Sequence, residues 1–127
     1  MDPAARVRHS VLEGTIGDDE LLDAYANVLG DPDFDPTLND LVDARTVRRV
    51  DVTPVGVRRL ADLVQQIDRH ALPTKVAVVA ADDAAYDTAR MYEALRAGQR
   101  APAEHRVFRD MAEARRWLGL APEAGSG

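Results

Sequence analysis

Val76-Ala77-Val78-Val79-Ala80, with Asp82-Asp83 close behind it, decides the fold. A run of small and β-branched residues with no polar interruption is apolar on both faces, as a central parallel strand covered by helices would be. The two acids suit a helix N-terminus, and that helix runs to about Ala97 with Ala85, Ala89, Tyr92 and Leu95 inward and Gly98 as its stop. Upstream, Thr53 is a good N-cap and Pro54 fits the first helical position. The apolar stripe Val57, Leu60, Ala61, Val64 and Ile67 makes that helix amphipathic.

Further upstream, Leu38 to Ala44 reads as a strand and Val47 to Val52 as a short extended segment leading into Thr53. Arg6 to Thr15 alternates as a strand or hairpin arm with a bend at Gly14. Asp18-Asp19-Glu20 open a helix whose inner face is Leu21, Leu22, Tyr25, Val28 and Leu29, closed by Gly30. Asp31-Pro32-Asp33-Phe34-Asp35-Pro36 cannot continue it and forms a loop, with Phe34 as its anchor into the core. Downstream, His105 to Phe108 is a last short strand. Asp110 with Glu113 caps a final helix ending at Trp117-Leu118-Gly119, where Trp117, Met111 and Leu118 make a lid over the sheet. Strand and helix alternate throughout, which predicts one α/β domain over 1–120 with about four mostly parallel strands and about four helices. Residues 121–127 read as a flexible tail.

Composition narrows the function. The 127 residues suffice for one core, and the net charge of −6 disfavours nucleic acid and anionic membranes as partners. Without cysteine there is no disulfide, thiolate metal site or cysteine nucleophile. No apolar run approaches the roughly 20 residues of a membrane span. Met1-Asp2-Pro3 carries an acid and no apolar h-region, so a cytoplasmic location is expected.

Val50-Asp51-Val52-Thr53-Pro54-Val55-Gly56-Val57-Arg58-Arg59-Leu60 resembles the strand-to-helix signature of STAS domains, the anti-anti-sigma-factor fold. Asp51, Thr53 and Gly56 stand in register with it. Lys75 to Val79, Ala89 to Glu93, Val107 to Asp110 and Ala114 to Leu118 resemble the C-terminal pattern of the broader SpoIIAA-like superfamily. Val52 stands where partner-switching STAS proteins carry a phosphorylated serine, and Pro54 where they carry glycine; only Thr53 keeps a hydroxyl, one residue late. The resemblance implies a SpoIIAA-like fold and a non-enzymatic bacterial regulatory or interaction module. It would present the Asp51-to-Gly56 turn and the following helix to a protein partner, with Thr53 as the phospho-switch and Arg58, Arg59 and Asp62 as surface contacts. A small-ligand binder of the same fold, for a lipid or a nucleotide, is the alternative, and a homodimer is a third arrangement.

Other residues bear on chemistry. Acids at strand ends, Asp82 and Asp83 among them, lie where open parallel sheets bind ligands; Arg90, Met91 and Tyr92 would flank that crevice. The same acids also serve as helix caps. Asp31, Asp33 and Asp35 imitate half of a calcium loop, but Pro36 stands where glycine is needed and Val42 where a bidentate Glu is needed. His9, His70 and His105 are dispersed, with no partner at metal-ligand spacing. Neither a metal, nor a cofactor, nor a catalytic set is expected.

Overall fold

Strand and helix alternate as the pattern predicts: β1 (Val7–Gly17), α1 (Asp18–Leu29), β2 (Asn39–Asp51), α2 (Pro54–Ile67), β3 (Lys75–Val79), α3 (Asp83–Gly98), β4 (Glu104–Phe108) and α4 (Met111–Trp117). The computed structural model describes residues 7–67 and 73–122. The expected strand start at Arg6, His70 and the tail beyond residue 122 lie outside the described residues. All four strands are parallel, in the order β1-β2-β3-β4, so every connection carries a crossover helix. None of the described helices is long and apolar enough to cross a membrane.

Leu38–Ala44 and Val47–Val52 were separate expectations; the structure joins them into one 13-residue β2. Pairing with β1 continues as far as Gly17 opposite Asp51, and shifts in register between Val11 and Glu13 and between Gly14 and Thr15 absorb the mismatch. Gly14 takes a φ of 75°, a left-handed conformation that only glycine adopts without steric cost.

Strand periodicity divides the sheet into two faces. On one, Val7, Leu41, Ala77 and Val79 pack beneath Met111, Ala114 and Leu118, with Phe108 and Trp117 alongside. The final segment is therefore the lid the sequence predicts. On the other face the register aligns Arg8, Asp40, Val76 and His105 in one cross-sheet row, and Ser10, Val42, Val78 and Val107 in the next. The remaining helices cover this second face.

The apolar stripe of α2 does bury, as Val57, Leu60, Ala61 and Val64. It buries against α1 and α3, in a cluster with Tyr92, Leu21, Leu22, Tyr25 and Leu95. Helix α1 carries the expected apolar face, yet none of its residues is fully buried. The space beneath it explains why.

Candidate functional site

Because α2 packs chiefly onto its neighbouring helices, α1 and α3 are held apart over the sheet and a cavity of about 340 Å³ remains beneath them. Its floor is formed by Arg8, Ser10, Asp40, Val42, Val76 and His105. Ala24, Tyr25, Val28 and Leu29 of α1, Val64 of α2, and Tyr92 and Arg96 of α3 enclose it. Phe34, Pro36 and Leu38, from the loop between α1 and β2, close one side. Phe34 is thus not a plug in the core; it borders the cavity and is stacked on a cation, with the Arg8 guanidinium 4.5 Å from its ring centre.

Arg8 organises that side. Its Nε donates to Asp40 Oδ1 at 2.7 Å, Nη2 to Asp40 Oδ2 at 3.2 Å, and Nη1 to the carbonyl of Asp35 at 3.1 Å. One side chain therefore clamps the β2 carboxylate and the loop together, in the paired geometry that guanidinium and carboxylate favour. Burial raises the Asp40 carboxyl above the usual value, and the bonds from Arg8 oppose that shift.

The opposite side is aromatic. Tyr25 and Tyr92 lie with ring centres 6.1 Å apart, and Tyr92 meets His105 edge-on at 5.4 Å. Desolvation pushes Tyr25 up to about 12 and Tyr92 well above its ordinary value, so both phenols keep their protons at neutral pH. Burial, then the charge of Arg96, lowers His105 to about 4, leaving a neutral imidazole. Arg96 Nη1 donates to Gln99 Oε1 at 2.8 Å and to the Ala61 carbonyl at 3.4 Å. Tyr92 Oη and His105 Nδ1 are buried and lack a partner in ordinary hydrogen-bond geometry among the described residues, although the Tyr25 phenol lies near enough to act on the Tyr92 proton. Such atoms are rare and costly in a native fold, and both belong to the residues that line the cavity.

The residues singled out from sequence fall elsewhere, with one exception. Among Asp82, Asp83, Arg90, Met91 and Tyr92, only Tyr92 borders the cavity. Asp82 caps α3 by accepting from the Ala85 N–H at 3.1 Å, Asp83 pairs with Arg109 at 2.8 Å, and Arg90 pairs with Glu93 at 3.1 Å. Met91, one residue from Tyr92, points away from the cavity and is 39% exposed. Helical geometry separates such neighbours by about 100°.

The Asp51-to-Gly56 turn has a geometry of its own. Thr53 Oγ1 accepts from the Gly56 N–H at 3.0 Å, the N-cap bond expected of it. Its hydroxyl donates to Asp18 Oδ2 at 2.7 Å, and its backbone N–H donates to Asp18 Oδ1 at 2.8 Å. Gly56 is buried, and a side-chain carbon there would collide with the Asp18 carboxylate. Asp51 pairs with Arg49 at 3.2 Å, Arg58 with Asp62 at 3.6 Å, and Asp62 also accepts from Gln99 Nε2 at 3.0 Å. Arg59 is exposed.

In the acidic loop, Asp31 Oδ1 accepts from the Asp33 N–H, and Asp35 Oδ1 accepts from the N–H and hydroxyl of Thr37, as turn residues do. Among the described residues no group of three or more His, Asp or Glu side chains is arranged to hold a metal ion.

Sequence reasoning missed Arg8, Asp40, Tyr25 and Arg96, and set His105 aside. The available signal was polar residues at inward positions: Arg8 and Asp40 in strands, and Arg96 one helical turn beyond Tyr92.

No family model matches the chain, and no curated protein matches it. Among solved structures the chain is similar to an uncharacterized protein of the DUF3478 family with a SpoIIAA-like fold from Shewanella loihica PV-4. The two share 15% sequence identity, the match covers 86% of this chain and 82% of that one, and the TM-score is 0.48. The α/β class itself stands on the parallel strand order and the helices described above.

Proposed function

We propose that this protein is a small-molecule-binding domain that takes its ligand into the cavity between α1, α3 and the sheet. The observation that carries this reading is the pair of buried, unpartnered polar atoms, Tyr92 Oη and His105 Nδ1, on the wall of a 340 Å³ space. That volume is at the lower end of the roughly 300–1,000 Å³ usual for small-molecule sites. A ligand oxygen between those atoms would remove the cost of leaving them unmade. Native mass spectrometry of protein purified gently from its own cells tests the reading. The expected spectrum shows one small molecule per chain, absent from a Val28→Trp variant whose indole fills the cavity. Identical bare masses for both proteins, before and after equilibration with a metabolite extract, would reject it.

A second reading has an observation of its own. Val55 is 63% exposed on α2, on the same helix as the exposed Arg58 and Arg59, and with them offers an apolar and basic strip to an acidic protein partner. A phosphate on Thr53 would place about two negative charges against the Asp18 carboxylate and break the contact between α1 and α2, a route to switching that surface. Partner capture that survives Arg58→Ala with Arg59→Ala would remove this reading.

A further inference from the structure

The walls of the cavity restrict what enters it. An apolar cavity of about 150 Å³ accepts benzene. A space of about 340 Å³ therefore holds a body of about two rings. The aromatic side of the wall, Tyr25 to Tyr92 at 6.1 Å and Tyr92 to His105 at 5.4 Å, favours a flat ring packed edge or face against it.

The charge balance is equally informative. Arg8 and Asp40 neutralise each other through two hydrogen bonds, and Arg96 is engaged by Gln99 and the Ala61 carbonyl. The groups left to meet a ligand are a protonated phenol and a neutral imidazole. An anion entering here would meet one guanidinium, Arg96, already committed to Gln99 and the Ala61 carbonyl, and otherwise neutral partners, a poor exchange for its hydration in an apolar space. A single hydroxyl or carbonyl suits the site: it accepts from the Tyr92 hydroxyl, and a hydroxyl also donates to His105 Nδ1 when the imidazole proton is on Nε2.

We propose that the ligand is an uncharged aromatic molecule of about two rings carrying one hydroxyl or carbonyl oxygen, seated between Tyr92 and His105. The proposal rests on the ligand-binding reading above and adds the chemical class. Isothermal titration calorimetry at pH 7 with 2-naphthol, naphthalene and 2-naphthoate separates the two claims. The expected result is 2-naphthol binding about ten-fold tighter than naphthalene, the worth of one buried hydrogen bond, with 2-naphthoate weaker than 2-naphthol. Tyr92→Phe and His105→Phe should each weaken 2-naphthol binding toward that of naphthalene while leaving naphthalene unchanged; two separate variants guard against one that fails to fold. Equal affinities for 2-naphthol and naphthalene, or tightest binding of 2-naphthoate, would overturn the chemical class and leave the cavity reading standing. No binding of any probe to the wild-type protein would overturn both.

Discussion

Asp18, the first residue of α1, caps a helix to which it does not belong. Its carboxylate accepts both the backbone N–H and the hydroxyl of Thr53, the N-cap of α2. The register explains the meeting: β1 and β2 end side by side, with Gly17 opposite Asp51, so the residues that follow emerge together. An anion is favoured at that helix terminus by the unpaired N–H groups and the helix dipole. In this fold the chain's own aspartate takes that place.

Asp18 therefore contributes to acid sensitivity. The hydroxyl of Thr53, and then its backbone N–H, hold the carboxyl below its usual value of 3.8. A depressed carboxylate stabilises the fold fully above its unfolded value, and that contribution is lost as the pH falls through the lower folded value. Wild-type stability should drop below about pH 3.8 in part for this reason. Asp18→Asn should be less stable than wild type at pH 7, with the gap closing in acid. Denaturant titrations at pH 7 and pH 3 measure it; a gap of constant size would contradict this assignment.

Gly56 and Asp18 should be coupled with a change of sign. In an exposed helix interior, alanine is better than glycine by about 0.5–1 kcal/mol. Here the added carbon would collide with the Asp18 carboxylate, so Gly56→Ala should destabilise the wild-type protein. In an Asp18→Ala background the obstacle is gone, and Gly56→Ala should become neutral or stabilising. A double-mutant cycle read by chemical denaturation tests this, and additive effects would contradict it.

His105 should make the protein sensitive to mild acid. Burial lowers it from 6.5 to about 4, so the unfolded chain takes up a proton at higher pH than the native one does. Its stabilising contribution is whole above pH 6.5 and is lost progressively as the pH falls toward 4. The full loss is about 3 kcal/mol in order of magnitude, of which about 2 kcal/mol should be gone by pH 5. His9 is also lowered, by burial first, and acts in the same direction. Stability of His105→Gln should fall less between pH 7 and pH 5 than that of wild type, while an equal fall in both would assign the sensitivity elsewhere.

Phe34 should govern entry and exit. It borders the cavity and is held by the Arg8 guanidinium, which also bonds the Asp35 carbonyl. Phe34→Ala removes the stacked ring and leaves the ion pair between Arg8 and Asp40. Stopped-flow release of 2-naphthol should quicken several-fold, by about the factor expected from losing 0.5–1 kcal/mol at an exposed cation–π contact. Unchanged release kinetics would place the entrance at another side.

Most of the architecture was legible because its signals are local. Thr53, Asp82 and Asp110 each cap the helix assigned to them, and the run around Val78 forms an inner strand as its apolar pattern predicts. The joining of β2 into one strand was not legible, since it depends on two bulges in β2, whose 13 residues pair along the 11 of β1, and no local pattern announces them. The cavity was hidden for a related reason. The inward stripe of α1 looks like a core-packing face, and only the placement of α2 against its neighbouring helices leaves that stripe over empty space. Tyr92 was singled out, but the row of Arg8, Asp40, Val76 and His105 exists only through strand register, over separations of 29 to 36 residues. Asp18 was read as an acid suited to its own helix; its bond to Thr53 is a tertiary contact 35 residues away.

The central claim is that a ligand enters the space under α1, and a ¹H–¹⁵N correlation spectrum recorded during titration with 2-naphthol tests it most directly. The amides of Ser10, Val42, Val76, Tyr92 and His105 should shift together and saturably, with those around Thr53 and Arg58 unmoved. Shifts confined to the outer face of α2, or a spectrum unchanged at saturating probe, would contradict the account.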